Sequence, residues 1–171
     1  MVWLASELMF FSGLFAAYFT LRAAATGPWP PSGVDLNVPV SGLFTLVLVL
    51  SSGTMQLAAR AIERGRVVVF RRWVLATFVL GGAFIANQAR EWATLSFHVD
   101  SHAYGSAFYL MTGFHGLHVI GGLVAMLVLL LRASNPRFDA GETPSVEVVS
   151  YYWHFVDVVW IGLWATLFLL R

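Results

Sequence analysis

The chain has 171 residues, of which 58% are hydrophobic and only 11% are charged, and its net charge is +1. Soluble domains carry about 25% charged residues, so this composition excludes an ordinary soluble globular domain and favours an integral membrane protein. The absence of cysteine excludes disulfides, thiolate metal sites and cysteine nucleophiles.

Five apolar segments are long enough to cross a bilayer, which takes about 20 residues of helix. We predict an all-α, five-helix transmembrane bundle that forms a single transmembrane domain over residues 1–171. The predicted spans cover residues 2–22, 40–60, 72–92, 103–131 and 147–170. The fourth span is longer than a crossing needs, which predicts that it tilts or protrudes.

The arginine residues predict the orientation of the bundle. The segment 60–72, RAIERGRVVVFRR, carries five Arg against one Glu, and Arg132 and Arg137 follow the fourth span. The segment 93–102 carries none. Because basic residues favour cytoplasmic loops, we predict a cytoplasmic N-terminus and a periplasmic C-terminus.

Polar side chains inside the spans, or at their margins, are the candidate functional residues. They are Glu7, Gln88, Glu91, His115, His118, Glu147, His154 and Asp157. Residues three or four apart share a helix face, so three pairs are expected to point together: Gln88 with Glu91, His115 with His118, and His154 with Asp157. Such faces turn toward other helices or water-filled cavities. We therefore expect the fourth span to lie near the centre of the bundle.

The fourth span is also rich in small residues. Gly113 and Gly116, followed by Gly121 and Gly122, are of the kind that lets a neighbouring backbone approach closely. This pattern reinforces the central position predicted for that span.

The histidines have two interpretations. His is a common metal ligand, but an HxxH pair alone is weak evidence, and we favour buried histidines that hydrogen-bond neighbouring helices. His154 with Asp157 could orient a metal ligand, and here we favour local and interhelical hydrogen bonds. Gln88, Arg90 and Glu91 are interpreted as interfacial. No catalytic residue and no metal ligand is predicted.

Glu7 is the least expected residue, because it lies inside the run SELMFFSGLFAAYF. An ionised carboxylate in hydrocarbon is costly. The alternatives are neutralisation, pairing with a histidine of the fourth span, or contact with a bound water or lipid head group.

Four strings together resemble subunit III of haem–copper terminal oxidases over nearly the whole chain. They are SELMFFSGLFAAYF, NQAREW, YGSAFYLMTGFHGLHVIGG and YYWHFVDVVW. The chain looks like the five-helix form, which lacks the first two of the seven helices in the mitochondrial type. The resemblance implies an accessory, non-redox subunit of a proton-pumping oxidase that reduces O2 to water in a bacterial inner membrane. Its electron donor would be cytochrome c or quinol.

The resemblance also implies partners and cofactors. Haems and copper are expected in subunits I and II and none in this chain, which would pack mainly against subunit I and support its proton uptake. A structural phospholipid is possible, although one wall of the family's lipid cleft is missing.

Several site residues are carried over from the family by matching motifs. The family carboxylate that reacts with a hydrophobic carbodiimide matches Glu7, and the family histidine pair matches His115 and His118. Conserved family carboxylates match Glu91 and Glu147, and the WHFVD motif matches residues 153–157, which include His154 and Asp157. Our hypothesis is that Glu7 hydrogen-bonds His115 or His118, in a structural role rather than a direct proton relay.

Three alternatives remain open from the sequence. One is a subunit III-like partner of a nitric oxide reductase. Another is a membrane haem or metal enzyme ligated by His115, His118 and His154. The third is a free-standing proton or ion channel that uses Glu7, the histidine pair and Asp157.

Overall fold

Five long helices make up the computed structural model, which describes residues 2–135 and 138–170. They are α1 (Val2–Ala24), α2 (Val38–Glu63), α3 (Val67–Thr94), α4 (Ala103–Arg132) and α5 (Thr143–Trp164), and α5 continues into a π-helical turn, Ala165–Leu169. A 3-10 turn, Ala140–Glu142, precedes α5. All five helices are long and apolar enough to span a membrane, and no strand occurs in the described ranges. The all-α, five-helix prediction is confirmed. Arg137 lies outside the described residues.

Polar residues outside the spans define where two of the helices begin. Asn37 caps α2, and its Oδ1 accepts a hydrogen bond from the Val40 backbone N–H at 3.1 Å. His102 caps α4 in the same way, with Nδ1 accepting from the Gly105 N–H at 2.8 Å. Each cap satisfies one of the backbone N–H groups that a helix start leaves without an intrahelical acceptor.

The helices pack so that α4 and α5 share the centre of the bundle. Helix α4 contacts α1, α3 and α5, whereas α5 contacts α2, α4 and α1. Half of the most apolar window of α5 is buried, against 28% for α4 and 11% for α1. The prediction of a central fourth span therefore holds only in part, because α5 is more enclosed and α1 lies at the edge.

Gly113, Gly116, Gly121 and Gly122 of α4 do not admit a neighbouring backbone, and that prediction was wrong. Gly122, together with Gly81 of α3, instead faces the indole of Trp153. A Cβ added at Gly81 would lie 2.6 Å from Trp153 Cη2, and one added at Gly122 would lie 2.7 Å from Cε3. A Cβ added at Gly116 would meet nothing within 4 Å. Gly81 and Gly122 thus make room for one fully buried ring.

The π-helical turn at the end of α5 is held by two tyrosines from other helices. The Tyr18 hydroxyl donates to the Thr166 carbonyl at 3.2 Å, and the Tyr104 hydroxyl donates to the Leu167 carbonyl at 2.8 Å. The Trp29 indole donates in turn to the Tyr18 oxygen at 3.0 Å. These bonds join α1, α4 and the loop after α1 to the last turn of the chain.

Candidate functional site

Glu7 on α1 is paired with His118 on α4. Glu7 Oε2 lies 3.0 Å from His118 Nε2, and the two side chains are 22% and 16% exposed. His118 Nδ1 lies 2.6 Å from the Phe114 carbonyl oxygen. Because that oxygen can only accept, Nδ1 must carry a proton. Of the two partners considered for Glu7, the structure places His118 beside it.

This geometry fixes the net charge of the pair. With Nδ1 protonated, the contact between Nε2 and Oε2 requires one more proton, on either the imidazole or the carboxyl group. The pair is therefore either an imidazolium with a carboxylate or a neutral histidine with a neutral acid. Both forms have zero net charge, which explains how α1 carries Glu7 within an apolar run.

Aromatic rings surround the Glu7–His118 pair. Phe11 meets the His118 ring edge-on at 5.0 Å, and Tyr152 donates its hydroxyl proton to the His118 carbonyl at 2.8 Å. Trp3 stacks on Tyr152 at 5.1 Å. These rings limit access to water, and a hydrogen bond is electrostatically stronger in such surroundings.

His115 points away from this pair, although it is only three residues from His118. It is 1% exposed and lies between Phe84 and Trp160, at ring distances of 5.9 and 4.8 Å. Neither ring nitrogen has a hydrogen-bond partner among the described residues. The expectation that both histidines bond to neighbouring helices thus holds for His118 alone.

Within the described ranges, no group of three or more His, Cys, Asp or Glu residues could hold a metal ion.

A second polar cluster joins α2 to α5. The Ser52 hydroxyl donates to Asp157 Oδ2, and its oxygen lies 2.8 Å from His154 Nδ1. His154 Nε2 lies 3.3 Å from Gln56 Oε1 and 3.3 Å from Ser150 Oγ. We call Ser52, Gln56, Ser150, His154 and Asp157 the α2–α5 polar cluster.

Sequence reasoning missed the α2 half of this cluster. Ser52 and Gln56 are four residues apart, so they share a face of α2. That spacing was the available signal. A lone serine in a membrane helix is easily overlooked, because it often satisfies itself by bonding the backbone one turn earlier.

The three remaining predicted residues stand apart from both clusters. Gln88 is 7% exposed, and its Nε2 has no partner among the described residues. Glu91 is half-buried near the end of α3, where it lines a small cleft with Asn37 and Arg90. Glu147 is exposed near the start of α5.

The comparisons with known proteins identify the family. Residues 1–170 match the family model described as cytochrome c oxidase subunit III. The chain belongs to this family. The resemblance seen in its motifs is thereby confirmed, and the chain is a subunit III of a haem–copper oxidase.

Named relatives agree with the family match. A protein of Nocardia farcinica, "Probable cytochrome c oxidase subunit 3", is 50% identical over 99% of this chain and 85% of its own length. A protein of the same name from Mycobacterium tuberculosis has the same identity and coverage. "Cytochrome c oxidase subunit 3" of Thermostichus vulcanus is 37% identical, again over 99% of this chain and 85% of its own length. Membership of an oxidase complex follows.

The two histidines of this subunit III should respond differently to replacement. His115→Leu removes no hydrogen bond to a described residue, so we expect a cost below about 1.5 kcal/mol. His118→Leu removes the contact with Glu7. Interhelical hydrogen bonds in membranes contribute up to about 1.7 kcal/mol to stability, and the Glu7 carboxyl, left without its partner, adds to the cost of this substitution. The midpoint of thermal dissociation of the oxidase complex measures both costs. Equal losses would mean that His115 is bonded in the complex by water or by another subunit.

Proposed function

We propose that this subunit III is a non-catalytic partner of the haem- and copper-bearing subunits of a bacterial cytochrome c oxidase that reduces O2 to water. Subunit I is the proposed main partner, and the proposed contact face is that of the α2–α5 polar cluster. In this proposal the chain holds no redox centre and supports proton uptake indirectly, by stabilising subunit I.

The depth of the α2–α5 polar cluster is the observation that carries this proposal. Ser52 lies near the middle of α2 and His154 near the middle of α5. Ser52, Gln56 and His154 are only half-buried within this chain. Polar groups at that depth avoid lipid and face protein or water-filled cavities. A neighbouring oxidase subunit that covers this face would remove them from lipid.

The Glu7–His118 pair supports a structural role for Glu7 in the same proposal. The pair links α1 to α4, and the only side-chain hydrogen-bond partner of Glu7 among the described residues is His118. A proton relay needs successive groups within hydrogen-bond reach. We therefore propose that Glu7 holds α1 in place and does not pass protons to subunit I.

The charge distribution supports an orientation in the bacterial inner membrane with the N-terminus in the cytoplasm. Arg60, Arg64 and Arg66 lie at the junction of α2 and α3, and Arg132 ends α4 at the same end of the bundle. Basic loops favour the cytoplasmic side.

One purification can test the proposed function. The complex is isolated in mild detergent through a tag on this chain. In one variant a photo-crosslinking amino acid replaces Gln56, and in a control variant it replaces Val79, which is exposed on α3. We expect reduced-minus-oxidised haem bands in the complex and a crosslink from position 56 to the largest subunit. Position 79 should give far less of this product.

Two results would contradict the proposal. Stoichiometric haem or metal retained by this chain alone in harsher detergent would favour the histidine-ligated enzyme. If position 56 crosslinks to lipid while the complex keeps its haem bands, the face of the α2–α5 polar cluster is not the contact with subunit I.

A further inference from the structure

Exposed arginines surround the turn that joins α2 to α3. The segment 60–72 carries five Arg and one Glu, and each of these arginines is exposed. Among the described residues, the ion pairs are Glu7–His118 and Arg132–Glu142, and neither involves this segment. The guanidinium groups at this turn can therefore pair with an anion from outside the chain.

Three of these arginines border one concave site. Arg60 from the last turn of α2, Arg64 at the end of that helix and Arg66 at the start of α3 line an opening of about 240 Å³. The rest of its lining consists of Leu57, Ala61, Val69 and Trp73. We call this opening the arginine pocket. The preference of basic residues for cytoplasmic loops explains why arginines occur at this end of the bundle, but not why three of them border one pocket.

The start of α3 adds to the positive potential of the arginine pocket. Arg66 makes no side-chain cap hydrogen bond, and the first turn of α3 contains no acidic residue. A helix N-terminus carries a partial positive charge, because its first N–H groups lack intrahelical acceptors. Helix end and arginines together favour an anion, and the planar guanidinium group matches the two oxygens of a carboxylate.

The arginine pocket adjoins the face that we propose for the contact with subunit I. Gln56 and Arg60 are four residues apart on α2, so Arg60 continues the side that carries Gln56 by about 6 Å toward the arginine-rich end. A subunit that covers Gln56 from outside therefore reaches the pocket as well. Covering arginines without a counter-charge is costly, because each guanidinium loses its water and gains no partner. The covering segment must therefore supply a carboxylate.

We propose that the arginine pocket binds an acidic segment of subunit I on the cytoplasmic side of the membrane. One Asp or Glu side chain of that segment lies among the guanidinium groups of Arg60, Arg64 and Arg66. This inference rests on the proposed function, since it takes subunit I as the subunit that covers the α2–α5 polar cluster. Two parallel N–H···O bonds from one arginine to a carboxylate have a defined geometry, so the contact also fixes how the two subunits align.

The absence of lysine from this chain allows a direct test. Arg64→Lys keeps the positive charge and introduces one lysine amine. The intact oxidase complex is treated with a water-soluble carbodiimide, which activates carboxyl groups. Where a carboxyl contacts the amine, an amide bond forms and the carbodiimide leaves as a urea. Mass spectrometry of peptides then identifies the joined Asp or Glu. Arg71→Lys is the matched control, because Arg71 is exposed in the same segment but does not line the arginine pocket.

We expect a product that joins position 64 to an Asp or Glu of subunit I, about fivefold more abundant than any product from position 71, since only the former amine lies where a carboxylate is held. A product from position 64 no more abundant than the control would overturn the inference. So would a product that joins position 64 to a different subunit. In either case, haem bands and the crosslink from position 56 to subunit I show whether the proposed function still holds.

A second measurement removes charge from the pocket. Arg60→Gln with Arg64→Gln is compared with Arg71→Gln with Arg72→Gln, which loses the same charge outside the pocket. At low salt, the fraction of this chain retained in the haem-containing complex should fall about twofold in the pocket variant alone, and the difference should shrink at high salt. Equal retention in both variants would overturn the inference. If the pocket variant instead loses co-purified phosphatidylglycerol, and position 64 gives no product with protein, the pocket binds a lipid headgroup and the inference is wrong.

Discussion

Gly81→Ala is expected to destabilise this subunit by about 1–3 kcal/mol, the range for overpacking a well-packed core. The new Cβ would lie 2.6 Å from Trp153 Cη2 and 3.0 Å from Leu123 Cδ2. The Trp153 ring cannot move away easily, because Gly122 contacts its other edge and its Nε1 donates to Ser51 Oγ at 2.9 Å. The midpoint of thermal dissociation of the purified complex measures the loss.

Gly82→Ala is the matched control for this substitution. An added Cβ at Gly82 meets nothing within 4 Å, and alanine forms helix better than glycine by about 1 kcal/mol. Its complex should be as stable as the wild type or more so. Adding Trp153→Leu to Gly81→Ala should recover part of the Gly81→Ala loss, since the two residues are in contact. Equal behaviour of Gly81→Ala and Gly82→Ala would show that the ring is not confined between α3 and α4.

Replacing Tyr18 and Tyr104 together by phenylalanine is the second substitution with a large expected effect. Each hydroxyl donates to a carbonyl of the π-helical turn, that of Thr166 or that of Leu167. An acceptor left buried and unpaired costs about 1–3 kcal/mol. We expect the double variant to lose about 2–4 kcal/mol, measured from the same thermal midpoint.

Tyr151→Phe is the control for the tyrosine pair, because Tyr151 is 51% exposed on α5. It should leave the midpoint unchanged. If the double variant were equally stable, the two carbonyls would have to find other donors, and the tyrosines would contribute packing alone.

The sequence predicted the helices better than it predicted their contacts. Long apolar runs define membrane helices almost without tertiary information, because every backbone polar group must be satisfied inside the lipid. The motifs around Glu7, His118 and His154 also identified the family correctly. Spacing alone did not distinguish His115 from His118, because residues three apart diverge enough to face different neighbours. Their different partners depend on how α4 is rotated against α1, α3 and α5.

The glycine prediction failed for a related reason. A small residue shows that something approaches closely, but its identity does not say what approaches. At Gly81 and Gly122 that neighbour is a tryptophan ring from a helix that begins far along the chain.

The attachment of α1 constrains the order in which this protein can be built. Helix α1 leaves the ribosome before α4 and α5, yet the residues that fasten it, His118 and the turn at Thr166, belong to those later helices. Until α4 is inserted, the Glu7 carboxyl lacks its histidine. Until the end of α5 is inserted, the Tyr18 hydroxyl lacks its acceptor. A polypeptide truncated before that turn would keep the contact between Glu7 and His118 but lose the Tyr18 hydrogen bond, so α1 is fully attached only after α5 is inserted.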